Sequence, residues 1–148
     1  MECKNILIII LTVVGILFLA GCAGNATGAT VVDPSGSIKI PLSELSEKAK
    51  FYEYDDDGVK ISYFAVLGSD GKPRTAFDAC DVCGGSKGYQ QTGNDITCRN
   101  CGKVFSIDGL GTRNKGYGCW PSYLPHNVQG GDLLINVNDI KSGRHRFA

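Results

Sequence analysis

Between Ser37 and Val137 short apolar stretches alternate with polar residues at a period of two, and turn-forming residues separate them. Ile38 and Ile40 flank Lys39, which predicts a strand ending at Pro41, with a turn or single helical turn over Leu42-Ser43-Glu44-Leu45-Ser46. Lys50-Phe51-Tyr52-Glu53-Tyr54 and Val59 to Leu67 read as two strands joined by Asp55-Asp56-Asp57-Gly58, a β-hairpin. The acidic run has neither the spacing nor the closing Glu of a calcium loop, so a solvated turn is expected there. Ser69-Asp70-Gly71-Lys72-Pro73 makes another turn, and Arg74 to Ala79 leads into the first cysteines. Lys103 to Ile107 alternates as a strand and Asp108-Gly109 turns it, after which Gly111, Gly116 and Gly118 lead to Cys119-Trp120-Pro121. A further hairpin runs through Leu124 and Val128, turns at Gln129-Gly130-Gly131-Asp132 and closes on Leu133 to Val137. Ile140 to Ala148 is read as a final short turn and strand. The expected class is mostly β, a small antiparallel sandwich or barrel.

The amino end follows a different pattern. Lys4 precedes an apolar run from Ile6 to Ala20 that ends at Gly21-Cys22, the layout of a secretory signal with a small-residue cleavage site. Leu19-Ala20-Gly21-Cys22 resembles the lipobox of bacterial-type lipoproteins, which implies that Cys22 is lipidated and becomes the first mature residue. The competing reading is an uncleaved membrane anchor, for which about 20 apolar residues are needed and this run is short. Residues 1–21 are therefore expected to be a lipoprotein signal peptide, 22–36 a flexible small-residue tether and 37–148 one β domain. The expected location is the extracytoplasmic face of the cell membrane, held by lipid.

Charge narrows the classes of function. Fifteen basic residues balance fifteen acidic ones, so the chain has no electrostatic footprint for nucleic acid. No nucleophile with its base, paired-carboxylate site or phosphate loop stands out, and the chain is not expected to be an enzyme.

The chemistry concentrates in the cysteines. Cys80-Asp81-Val82-Cys83-Gly84 and Cys98-Arg99-Asn100-Cys101-Gly102 share the form Cys-x-x-Cys-Gly, with 14 residues between the pairs. Two intervening residues let both sulfurs of a pair turn to one point, and the glycine lets the backbone fold beneath them. Two such knuckle loops make a tetrahedral sulfur cage whose affinity for a metal adds to the stability of a small domain. Cys80, Cys83, Cys98 and Cys101 are the expected ligands. The cofactor is an iron–sulfur cluster or a single tetrahedral iron or zinc ion, with copper a poorer fit. Disulfides within each pair are the bland alternative in an oxidising compartment, but they strand Cys119. Cys119 itself is either a fifth thiolate near the cage or a buried apolar cysteine beside Trp120. His126 and His145 stand alone and read as surface or packing residues, whereas Tyr89, Tyr117 and Trp120 are expected to pack around the cage.

The order of parts from Cys80 to Val137 resembles the core of a Rieske domain, with two ligand pairs, a Phe-containing strand, a Gly-rich turn and a final Gly-Asp-apolar strand. Cysteines stand at Cys83 and Cys101 where that core has histidines, so a two-iron cluster here is expected to be more reducing. A fuller resemblance runs through Phe77-Asp78-Ala79-Cys80-Asp81-Val82-Cys83-Gly84, Lys87-Gly88-Tyr89, Cys98-Arg99-Asn100-Cys101-Gly102 and Gly118-Cys119-Trp120-Pro121. These segments are similar to the FtrD-like family of membrane-attached iron–sulfur proteins. The resemblance implies electron transfer or metal relay beside an iron permease or another membrane metal system, with a membrane metal permease or redox protein as partner. A structural zinc module in an extracytoplasmic assembly is the second hypothesis, in which the metal only staples the fold.

Overall fold

The computed structural model describes residues 32–83, 87–116 and 118–148, so the signal segment, Cys22, Gly84 and Tyr117 lie outside the described residues. Among the described residues the ten strands are β1 (Ser37–Pro41), β2 (Lys50–Asp56), β3 (Val59–Leu67), β4 (Pro73–Cys80), β5 (Tyr89–Thr92), β6 (Asp95–Cys98), β7 (Val104–Ser106), β8 (Pro121–Tyr123), β9 (Asn127–Gln129) and β10 (Asp132–Asn136). One short helix, α1 (Val137–Ser142), and 3-10 turns at Leu42–Glu44, Ile107–Gly109 and Arg144–Arg146 complete the described elements. The strands form three antiparallel sheets in the orders β1-β10-β9, β2-β3-β4-β8 and β5-β6-β7. The mostly β expectation holds.

Strand alternation in the central sheet divides the core in two. Successive side chains of a strand point to opposite faces. Ile61, Tyr63 and Ala65 of β3 with Phe77 and Ala79 of β4 therefore pack against Ile38, Ile40, Leu133, Ile135 and Ile140. Phe64 and Val66 with Ala76 and Cys80 face the other way, onto Tyr89, Ile96, Cys98, Phe105, Ile107 and Leu110. A strand covered on both faces reads as a continuous apolar run rather than an alternating one, as Ile61 to Leu67 nearly does.

Local chemistry accounts for the turns. Asp56 pairs with Val59, leaving Asp57 and Gly58 as a two-residue loop with φ of 49° and 80°. Two positive φ values are what the tight hairpin turn requires, and the Asp55 carboxylate accepts from the Gly58 N–H at 2.9 Å. The acidic run is thus a turn, as its sequence predicts. Residues 32–36, the end of the expected tether, form a turn tied by the Asp33 carboxylate, which accepts from the N–H groups of Ser35 (2.9 Å) and Ser37 (3.0 Å).

Four elements differ from the expectation. The carboxyl-terminal segment is helical instead of a strand: Asn136 accepts the Asn138 N–H at 2.8 Å as a side-chain cap, and Ile140 is fully buried. A strand there would alternate Ile140 away from the core, whereas a helical turn returns it. Strands β5 and β6 are too polar to stand out in sequence, yet Gly93-Asn94 joins them as a two-residue hairpin loop between paired Thr92 and Asp95. Strand β8, which opens with Pro121, pairs only with β4 and lies at the sheet edge, where a residue lacking an N–H is tolerated.

Asp56 fastens the carboxyl-terminal segment to the β2–β3 hairpin. Its carboxylate meets Lys141 Nζ at 2.9 Å and Arg144 Nη1 at 3.0 Å, although the residue is only 8 % exposed. The Lys141 contact, and after it Arg144, hold the carboxyl below its ordinary value of 3.8, against the opposing effect of burial. A depressed carboxylate contributes stability above its unfolded-state value and loses it as pH falls through the folded-state value. Asp56→Asn should accordingly lower the thermal midpoint at neutral pH and flatten its decline below about pH 4. Melting curves of both proteins across the acid range check this, and parallel acid profiles would remove Asp56 from the role.

Candidate metal centre

Cys80 ends β4 on the face that looks into the second core, and the strand reaches it through an irregular register. Ala76 pairs with Tyr123 but Cys80 with Pro121, so four residues of advance on β4 match two on β8. Such a bulge re-aims the strand end. The Asp81 N–H then donates to the Trp120 carbonyl at 3.1 Å, which brings Cys119 alongside Cys80, their sulfurs 3.0 Å apart.

Cys98 ends β6 and is 1 % exposed. Its loop is closed by the Gly102 N–H donating to the Cys98 carbonyl at 2.8 Å and the Cys98 N–H donating to the Lys103 carbonyl at 2.9 Å. Gly102, at φ 74°, supplies the left-handed residue this fold-back needs. In the first knuckle the Val82 N–H points at the Cys80 sulfur at 3.5 Å, as expected for a loop wrapped beneath its thiolate.

The sulfurs of Cys80, Cys83, Cys98 and Cys119 all lie within 4.8 Å of one another. Cys80 and Cys98 are buried, Cys83 and Cys119 half-buried, and all five described cysteines are free thiols. Cys101 is exposed and stands outside this four-sulfur group, although its thiol still interacts with Cys119, Cys98 and Cys83. The structure thus gathers both Cys-x-x-Cys loops, as their spacing predicts, but places Cys119 in the inner group and Cys101 on the solvent side. Nothing in the spacing of a single cysteine on a glycine-rich loop reveals that; the β4–β8 pairing decides it.

The electrostatics of five adjacent thiols fit a cation. Burial opposes ionisation of Cys80, but the Val82 N–H and the thiols of Cys119 and Cys83 outweigh it and draw Cys80 down to about 7. Its charge is then felt by the rest. The contact with Cys80, then burial, pushes Cys83 up to about 12, and burial followed by Cys80 raises Cys119 further still. Cys101 is lowered, first by the Lys103 N–H and then by Cys119. Thiols this close cannot all ionise together without a counter-charge. Sulfurs of a tetrahedral centre with metal–sulfur bonds of about 2.3 Å lie about 3.8 Å apart, which the spacing here brackets. The cluster therefore fits a metal or an iron–sulfur cofactor.

Around the sulfurs runs an aromatic shell. Trp120 meets Phe105 edge-on with centroids 5.4 Å apart, and its indole N–H donates to the Thr112 carbonyl at 3.1 Å. Tyr89 packs edge-on against Phe64 and Phe105. His126 lies elsewhere, its Nδ1 2.8 Å from Thr75 Oγ1, which itself donates to the Leu124 carbonyl at 2.6 Å. His145 is exposed, with Nδ1 3.0 Å from the Ser142 carbonyl. Both histidines are packing or surface residues.

Asp78 and Gly88 are site-building residues that the sequence pattern alone leaves unassigned, although both fall within the motif segments. Asp78 accepts the Tyr89 N–H at 2.6 Å. Burial raises its carboxyl to about 6, with that N–H and Arg99 acting the other way. Gly88 has φ 74°, and a Cβ there would run into the Asp78 carboxylate; its carbonyl accepts the Arg99 N–H at 3.0 Å, which joins the two knuckles. Gly102 has the same φ with nothing within 4 Å of a built Cβ. Gly102→Ala should thus cost about 1–2 kcal/mol, the left-handed penalty alone. Gly88→Ala should cost more by displacing Asp78, and urea unfolding of the two variants measures the difference. Equal costs would show that the Asp78 approach carries no constraint.

Among the described residues no helix is long and apolar enough to cross a membrane. No curated protein and no solved structure matches the chain. Residues 45–147, which hold β2 to β10 and all five clustered cysteines, match the family described as membrane iron-sulfur containing protein FtrD-like, and the chain belongs to that family.

Proposed function

We propose that the protein is a non-catalytic, membrane-anchored, extracytoplasmic iron–sulfur or metal-binding protein that carries electrons or metal for a membrane iron transport system. The observation that carries this reading is the five-thiol cluster, with four sulfurs mutually within 4.8 Å and a fifth, Cys101, on the solvent side. The family's description as a membrane iron–sulfur protein supports iron over other soft-ligand metals. Cys80, Cys83, Cys98 and Cys119 would hold the group, which when bound supplies one-electron redox chemistry or a transferable ion. Cys80 and Cys98 keep water from one side, and the aromatic shell of Phe105 and Trp120 extends that screen. Half-buried Cys83 and Cys119 and exposed Cys101 leave the opposite side open to a partner. Cys101 is the thiol an incoming ion or a redox protein meets first. Anchoring follows from the sequence of the amino end: lipidated Cys22, with the following small-residue tether, holds the domain at the outer membrane surface beside a metal permease or redox partner.

Three predictions test the reading. Cys98→Ser and Cys119→Ser should each lose most of the bound metal and lower the melting temperature, because three thiolates hold the group poorly. Cys101→Ser should keep metal and fold while slowing exchange with a thiol chelator several-fold. Anaerobic purification, elemental analysis and visible absorption read these out; a colourless zinc-loaded protein would favour the structural staple instead. Cys22→Ala should leave the chain unlipidated and move it out of the membrane fraction or leave its signal uncleaved. A processed variant that still partitions with membranes would overturn the lipid anchor.

A further inference from the structure

Tyr89 carries a buried hydroxyl that makes no hydrogen bond among the described residues, though the whole residue is only 2 % exposed. The position is not accidental. Tyr89 opens β5 directly opposite Cys98 on β6, so both side chains leave the same face of the hairpin toward the sulfur cluster. Its ring is fixed between Phe64, 6.2 Å away, and Phe105, 6.4 Å away, both meeting it edge-on. Its backbone is held by the Asp78 carboxylate at 2.6 Å. The ring lies in the same buried cluster as Cys80 and Cys98, with Cys83 and Cys119 packed against it.

A protonated thiol is a weak acceptor, whereas a metal-bound thiolate keeps lone-pair density and accepts a strong, charge-assisted hydrogen bond. A buried donor left unsatisfied beside thiols is thus one that a loaded centre would satisfy. We propose that the Tyr89 hydroxyl is a positioning donor to the sulfur cage, giving a charge-assisted hydrogen bond to a cysteine thiolate of the loaded centre and setting the cage's affinity and potential. The inference rests on the metal-binding reading above. Phenylalanine retains the ring and its edge contacts, so Tyr89→Phe removes the donor alone.

Three measurements on the full chain separate this role from packing. Metal-free Tyr89→Phe should unfold at the same denaturant concentration as metal-free wild type, or a higher one, since it loses only an unsatisfied hydroxyl. With Co²⁺ as a probe of thiolate ligation, the variant should bind about 10-fold more weakly, as losing an outer hydrogen bond to a ligand does elsewhere. Its sulfur-to-cobalt band should also move to longer wavelength, because the sulfur electrons are less stabilised. In the iron-loaded protein the midpoint potential should fall, since the hydrogen bond favours the more negative reduced state. Matching Co²⁺ affinity and band position in the two proteins would overturn the proposal, as would a metal-free variant destabilised as much as the loaded one. If wild type takes up Co²⁺ but not iron, the iron reading fails while the cobalt comparison still decides on Tyr89. A wild-type chain that takes neither overturns both.

Discussion

Five thiols crowded at one edge of a hydrophobic core create the electrostatic constraint on which the site depends. Cys80 ionises readily, and its charge, together with burial, holds Cys83 and Cys119 protonated. A divalent or ferric cation held by Cys80, Cys83, Cys98 and Cys119 would remove that conflict by favouring the thiolate form of each ligand. The packing around it is otherwise complete, with Ile96 and Ile107 fully buried and Phe105 nearly so.

The scaffold meets this constraint with unequal rigidity. Cys80 and Cys98 are the last residues of strands β4 and β6 and inherit the order of two sheets. Cys83, Cys101 and Cys119 sit on loops, and their greater exposure follows from that. A centre held by strands on one side and by loops on the other is screened where it is fixed and accessible where it can move. The link between the Gly88 carbonyl and the Arg99 N–H keeps the two knuckles in register, and Arg146, 3.3 Å from Asp81, ties the first knuckle to the carboxyl-terminal turn.

Much of the site was legible in the sequence, because Cys-x-x-Cys-Gly is a local geometry. Its two spacers and its glycine dictate the loop whatever surrounds it, and Gly102 adopts the left-handed conformation that the motif requires. The β2–β3 hairpin, the β9–β10 hairpin and the first strand were readable for the same reason, since alternation and turn residues act over a few positions. The carboxyl end reads as a strand in sequence because a six-residue helix followed by a three-residue 3-10 turn is too short to show a period, and the burial of Ile140 against the first core decides the matter.

What the sequence determines by itself is therefore the inventory: two Cys-x-x-Cys-Gly knuckles, a mostly β domain and a balanced charge. The tertiary structure decided which thiols stand innermost. Cys119 lies 39 positions from Cys80 along the chain, and only the bulged β4–β8 pairing brings their sulfurs to 3.0 Å. Tyr89 likewise acquires its relation to the sulfurs from its register opposite Cys98 and from the second core that encloses it. Local motifs fix how a loop turns, because the forces involved span a few residues. Which loops meet is set by long-range strand pairing and by the face to which each alternating side chain is sent.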